Sequence, residues 1–340
     1  MRKNPPSFAG RRYPAAPEPY SGEAPSAWVS RVAHAHDLTI AEIVQLQGYS
    51  ASEFDAGYGD DIIAHIATGA PTRSWPATCE VVDGLREIGL LPTKVPKLQA
   101  EDWWAYCPDC LSGEALYEAP RLLALWCQPL AFVCLEHAVY LRPWPRCREA
   151  RLVDGTTSFS PLAPEQLHAE PASDEDLDFG RLLLSPGRKD WEAMVRATFD
   201  LVDALMTRTG VQGQHPPLLP QLLGLERSGD HIGSVRLPAC SLWGVPAVTR
   251  LLALRYLSAL TRTPALADDP PLWLSRLAKR LGTLRQRSLK WASCDELFLL
   301  IAKLNAEAAE QLARRSTGWP DHLRVRLGAA IVVGSLANLA

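Results

Sequence analysis

Four residues that bind soft metals stand in two pairs of equal spacing. Cys107 and Cys110 lie two residues apart in "YCPDCL", and Cys134 and His137 repeat the gap in "FVCLEHAVYL". A two-residue gap lets two side chains from one tight turn reach a single ion, and Zn2+ takes four N or S ligands in a tetrahedron. Pro108 favours such a turn, and Gly113 lets the chain leave it. Cys107, Cys110, Cys134 and His137 thus form a candidate closed zinc site, with no coordination position left for a reacting water. Three other readings compete. A redox Cys-x-x-Cys pair sits at a helix start after a strand in a βαβ unit, and that context is missing here. A structural disulfide needs an oxidising compartment, and the opening "MRKNPPSFAGRRYPAAPEPY" lacks the apolar core of a secretion signal. Four buried residues with no metal are the blandest alternative.

The 340 residues are length for two or three domains, and with 47% hydrophobic residues the chain can bury real cores. Net charge is −3, so any nucleic-acid contact has to come from a local patch rather than from a basic chain. No run reaches the roughly 18 apolar residues needed to cross a bilayer. The apolar end "LGAAIVVGSLANLA" is interrupted by Gly328, Gly334 and Asn338 and reads as a packed terminal segment. The expectation is a cytoplasmic protein with no membrane partner.

The pattern along the chain predicts a mainly α fold with an N-terminal helix-turn-helix-like domain, a zinc-knuckle segment and a C-terminal helical domain. Residues 1–25 form a proline-rich arm, extended or laid along a surface. Residues 26–98 form the helix-turn-helix-like helical domain. Trp28, Val29, Val32 and Ala33 recur at helical spacing, and Thr39 with Glu42 fits a capping box that opens a second helix ending at Gly48. An ordinary helical hairpin with no nucleic-acid role has the same pattern. Residues 99–155 are the zinc-binding domain. Residues 156–180, rich in Pro, Ser and acid, read as a linker. Residues 181–340 form the C-terminal helical domain, where four long segments show 3.6-residue periodicity.

The remaining cysteines divide into two groups. Cys79, Cys127, Cys240 and Cys294 lie in apolar settings and read as core thiols. Cys147 can begin another knuckle, but Ala150 stands where its partner would be. Enzyme signatures are missing. The Cys134-Leu135-Glu136 piece has its paired cysteines upstream, whereas a zinc deaminase has them downstream. "EHAVY" lacks the second histidine of a His-Glu-x-x-His helix. There is no Walker loop, Gly-x-Gly-x-x-Gly or Gly-x-Ser-x-Gly. The expectation is a protein that is not an enzyme.

Taken together, "EAPSAWVSRVAHAHDLT" and "YCPDCL…LWCQPLAFVCLEHAVYL" resemble the TniQ/TnsD family of transposition target-selection proteins. The family pattern has a Ser-Trp-x-x-Arg-like entry helix, then Tyr-Cys-Pro-x-Cys, Trp-Arg, Cys-x-x-His and a leucine four residues on. Trp28 and Arg31 match the entry helix, and Cys107, Cys110, Cys134 and His137 match the zinc ligands. Trp126 matches the tryptophan of Trp-Arg, and Leu141 the trailing leucine. The resemblance covers roughly residues 11 to 150, with two departures. Cys127 replaces the arginine after Trp126, and the final Cys-x-x-Cys is reduced to Cys147 with Ala150.

The resemblance implies an adaptor that links a target-recognising element to a TnsC-like AAA+ ATPase, which recruits the transposase. In CRISPR-associated transposons the recognising element is an RNA-guided effector complex. In TnsD-like members the protein itself reads an attachment site. Length and mild acidity favour the adaptor branch over the DNA-reading branch, and the resemblance carries a homodimer as one assembly. Arg31 is placed where its guanidinium can pair with a carboxylate or bind a partner.

One further stretch, "PLWLSRLAKRLGTLRQRSLKWASC", contains six Lys or Arg and no acid. On a helix Arg276, Lys279, Arg280, Arg287 and Lys290 share one arc, while Leu274, Leu277, Leu281 and Leu284 fall opposite. Such a face either solvates a packed helix or contacts the phosphates of DNA or RNA.

Overall fold

A computed structural model describes residues 16–36, 50–58, 79–98, 100–112, 122–145, 164–206, 242–261 and 306–339. The chain divides into two compact units, Met1–Gly187 with Trp243–Leu251, and Arg188–Leu242 with Leu252–Ala340. Among the described residues the fold is mainly helical, with four two-residue strands around the paired cysteines.

Residues 16–25, the described part of the arm, lie along the first unit. Ala24 N–H donates to Leu122 O (2.8 Å) and Ala124 N–H to Gly22 O (2.7 Å), so residues 22–24 bridge to residues 122–124. Gly22 has φ +71, the left-handed region that favours glycine. Helix α1 (Pro25–Ala35) follows, with proline at its first turn, where a missing N–H leaves nothing unpaired. Trp28, Val29 and Val32 are fully buried. The Trp28 indole donates to Pro17 O at 2.9 Å, which ties the arm to the helix.

Helix α2 (Ala51–Asp55) packs on α1. The Glu53 carboxylate reaches back to Ser50 N–H at 2.8 Å, the capping-box contact expected of Ser-x-x-Glu. Helix α3 (Glu80–Glu87) buries Val81, Val82 and Leu85 on one face, and its C-terminal turn reverses at Gly89, φ +72. Helix α4 (Ala100–Trp103) delivers Trp103 and Trp104 to the core. The second helix expected after Thr39 lies outside the described residues.

Of the linker expected at 156–180, the described residues 164–180 carry regular structure. A 3-10 turn (Pro164–Leu167) leads to Pro171, which bridges Val139, and then to a helix, here α6, whose range is Asp174–Leu183. The acidic run that suggested a linker is a helix start. Ser173 caps it by accepting from Asp176 N–H at 3.2 Å, and Asp174, Glu175 and Asp176 fill the first turn, where negative charge favours the helix dipole. Gly180 faces Val133. A Cβ built at Gly180 would lie 2.4 Å from Val133 Cγ2, so the absent side chain is what allows α6 to lie against the segment that carries Cys134.

In the second unit helix α7 (Trp191–Met206) packs against α9 (Ala306–Arg315) and the 3-10 turn that follows it (Ser316–Gly318). Trp319 Nε1 donates to Asp200 at 2.8 Å, and Arg315 lies 3.3 Å from Asp203. Burial pushes the Asp203 carboxyl up to about 6, against the opposing pull of Arg315. The terminal helix α10 (Asp321–Leu339) buries Leu323, Leu327 and Ala330. Helix α8 (Ala247–Thr261) belongs to the first unit as far as Leu251, so the boundary of a C-terminal domain at residue 181 is crossed by that segment. Among the described residues no helix is long and apolar enough to cross a membrane.

Candidate metal centre

Both cysteine-bearing turns hang from one stretch of chain. Strand β1 (Ala105–Tyr106) pairs antiparallel with β4 (Arg142–Pro143), and β2 (Val133–Cys134) pairs with β3 (Val139–Tyr140). The registers are Ala105↔Pro143 and Tyr106↔Arg142, then Val133↔Tyr140 and Cys134↔Val139. Residues 139–143 therefore hold β2 through their first half and β1 through their second. That arrangement brings the end of β1, where Cys107 sits, beside the end of β2, where Cys134 sits.

Each pair then uses its two-residue gap differently. After β1 the chain turns at once into α5 (Pro108–Ser112), with Pro108 at its first position. Leu111 N–H donates to Cys107 O at 3.2 Å, so Cys107 flanks the first turn and Cys110 projects from it. After β2 the chain reverses through Leu135–Ala138, and Ala138 adopts φ +54 to close the turn. His137 stands at the tip, exposed, while Cys107 and Cys134 are buried and Cys110 is half-buried.

The four ligand atoms all lie within 4.8 Å of one another. His137 Nδ1 is 3.7 Å from Cys107 Sγ, 3.1 Å from Cys110 Sγ and 3.7 Å from Cys134 Sγ, and the Cys110 and Cys134 sulfurs are 3.9 Å apart. A zinc tetrahedron with Zn–S near 2.3 Å has sulfur–sulfur edges of about 3.8 Å. The donor set and its spacing therefore fit a four-coordinate ion bound through three thiolates and Nδ1. With every ligand supplied by protein, such a site is structural in kind.

The electrostatics agree with that use. The hydrogen bond from Cys107 holds the Cys134 thiol well below its usual range, at about 5. The same bond, with burial, pushes Cys107 far up. Burial and the neighbouring Cys134 charge raise Cys110 to about 12. Its hydrogen bond to Cys134 raises the His137 imidazole. Three sulfurs packed this closely cannot ionise together unless a cation sits among them.

The other expected site residues fall in two groups. Arg31 is occupied within the chain. Its Nε lies 2.6 Å from Glu23 Oε1, its Nη2 donates to Glu18 O (2.7 Å), and the guanidinium sits 4.2 Å over the Tyr20 ring. Glu23 is fully buried, so of the two roles offered for Arg31 the carboxylate is the one visible. Arg276, Lys279, Arg280, Arg287 and Lys290 lie outside the described residues, as do Cys147, Cys240 and Cys294. Trp126 and Leu141 are both buried in the first unit.

A second polar cluster lies in the core of the same unit, and no spacing in the sequence marks it. Asp55 accepts from Ser26 N–H (2.9 Å), Ser26 Oγ (2.7 Å) and Trp103 Nε1 (3.0 Å), and Trp104 Nε1 donates to Ser26 Oγ at 2.7 Å. Burial lifts the Asp55 carboxyl to about 6 despite these donors.

Compared with known proteins, residues 14–141 match the TniQ family model, and that span contains the end of the arm, α1 and all four candidate ligands. No curated protein and no solved structure matches the chain. Residues 14–141 are thus similar to the TniQ family, one of transposition target-selection proteins.

Proposed function

We propose that this chain is a zinc-stapled adaptor for target selection in DNA transposition. In this reading it works in the cytoplasm as a homodimer, joins a target-recognising complex, such as an RNA-guided effector, to a TnsC-like AAA+ ATPase, and catalyses nothing itself. Zinc held by Cys107, Cys110, Cys134 and His137 serves as a staple between the two turns. Removing it would leave the two turns held together only through their shared pairing with residues 139–143.

The observation that favours an adaptor over a DNA reader is the charge around the knuckle. His137 is exposed at its tip with Glu136 and Asp109 close enough to act on its ionisation. Glu170, Asp174 and Glu175 are exposed on the segment that pairs with β3 and enters α6. The nearby Arg142 is spent on the carbonyls of Glu165, Gln166 and His168, and Arg181 on Asp178. Among the described residues such a surface repels phosphate and suits a basic protein surface.

The test is binding by the zinc-loaded full chain. An adaptor co-purifies with a TnsC-like AAA+ ATPase and binds duplex DNA weakly, without sequence preference. Replacing Arg276, Arg280 and Arg287 together with Gln should leave that weak binding and its salt dependence unchanged. Tight, sequence-specific duplex binding with a steep salt slope, and no ATPase capture, would replace this reading with a TnsD-like selector.

A further inference from the structure

Arg250 is a cation with no exposure at all, on the first turns of α8, and it is set into the core of the TniQ domain. Its Nη2 donates to Trp103 O at 3.0 Å, and its guanidinium carbon lies 4.3 Å over the Trp103 ring. Trp243, from the 3-10 turn just before α8 (Leu242–Gly244), stacks on the same indole with centroids 5.8 Å apart and planes 14° from parallel. Trp103 in turn donates its indole N–H to Asp55. One tryptophan therefore holds the buried anion by its edge and the buried cation by its face and carbonyl. Cys127, also fully buried, feels both charges.

Burying a guanidinium is costly, and Nε and Nη1 of Arg250 find no hydrogen-bond partner in the core. A leucine or methionine in its place would pack the same apolar ring at no such cost, so added stability does not account for the arginine. What a charge supplies, and an apolar side chain does not, is a single allowed position. Slid by one turn along the domain, Arg250 would lose both the Trp103 carbonyl and the compensating charge of Asp55. Uncompensated burial of either charge is strongly unfavourable.

We propose that Arg250, acting across Trp103 on Asp55, is a registry lock that fixes the segment Trp243–Leu251 on the TniQ domain in one position. The segment thereby becomes a working part of a domain whose family match ends at residue 141. Trp243 supplies the apolar anchor and Arg250 the register. When the lock opens, Cys127 becomes reachable from solvent.

The experiment measures alkylation of Cys127 by iodoacetamide in the zinc-loaded full chain, peptide by peptide, with the half-buried Cys79 as internal comparator. Three proteins are compared: wild type, Arg250→Met and Arg250→Lys. Methionine keeps the apolar volume and loses the charge. Lysine keeps the charge but cannot both stack on the ring and reach the carbonyl as a planar guanidinium does. The expected result is a Cys127 rate at least tenfold above wild type in Arg250→Met and an intermediate rate in Arg250→Lys, with zinc content and the Cys79 rate unchanged. Wild-type protection of Cys127 in Arg250→Met would overturn the lock and leave Arg250 as packing. Should Arg250→Met lose zinc and unfold, Arg250→Lys decides. A folded protein with Cys127 protected to within a few fold of wild type supports the lock, and a thiol as reactive as in Arg250→Met overturns it.

Discussion

Gly180→Ala sets two opposing effects against each other, and the structure decides between them. In an isolated helix alanine is favoured over glycine by about 1 kcal/mol, and Gly180 sits in the interior of α6. Propensity alone predicts a more stable protein. The new methyl, however, would lie 2.4 Å from Val133 Cγ2, 3.6 Å from Phe132 Cε1 and 3.8 Å from Leu135 Cδ2. The last two are ordinary contacts, but the first is more than an ångström too close. Val133 is buried, β-branched and paired in β2, so it has little rotamer freedom with which to move away. Overpacking of this kind costs about 1–3 kcal/mol, which outweighs the helix gain. The net expectation is destabilisation by ~1 kcal/mol or more. Because Val133 adjoins Cys134, the displacement should also reach the metal turn. Denaturant unfolding should show a lower midpoint, and transfer of metal to a chromogenic chelator should run faster than in wild type. A protein stabilised by ~1 kcal/mol with unchanged metal release would refute the claim that α6 needs a glycine to approach the zinc segment.

Three further outcomes follow from the first unit. Trp28→Ala removes a fully buried indole and its bond to Pro17 O, and should cost ~3 kcal/mol or more in unfolding free energy; a variant that melts like wild type would mean the arm and α1 are not anchored there. Arg31→Gln leaves the buried Glu23 carboxylate without its cation and should cost ~3 kcal/mol, with faster proteolysis of the arm; unchanged melting and cleavage would return Arg31 to a partner-binding role. The Asp55 carboxyl has its folded value raised to about 6 from 3.8, so the folded state holds the proton more tightly than the unfolded chain. Its contribution to stability is greatest below about pH 4, falls as pH rises towards 6, and is flat above that. About two pH units of difference correspond to roughly 3 kcal/mol, and Asp55→Ser should flatten that part of a stability-versus-pH curve measured by urea unfolding.

The metal centre was legible because its information is local. Two turns, each with ligands two residues apart, state their chemistry within a few positions, and Pro108 marks where the first turn begins. The helices at Pro25–Ala35 and Trp191–Met206 were legible for a similar reason, since an apolar stripe repeats within each. The run at 173–178 misled because Ser and acidic residues serve loops and helix N-termini equally well. Only the capping bond from Asp176 to Ser173 separates the two, and it shows in three dimensions. The Asp55 and Arg250 cluster had no local signal at all. Asp55 sits in a short helix, Arg250 in a helix with little amphipathic contrast, and their meeting depends on how Trp103 is presented by α4. Cys127, which departs from the arginine of the resembling pattern, lies within reach of the Arg250 charge. A guanidinium is thus present near that point of the core, supplied from far along the chain.

The four-ligand staple is tested most directly by elemental analysis of the metal content of the freshly purified full chain. The prediction is about one zinc per chain, reduced to a small fraction in Cys134→Ser, with a lower melting temperature once a chelator has stripped the wild type. Protein that is folded and free of zinc, or zinc that stays when Cys134 is replaced, would contradict it.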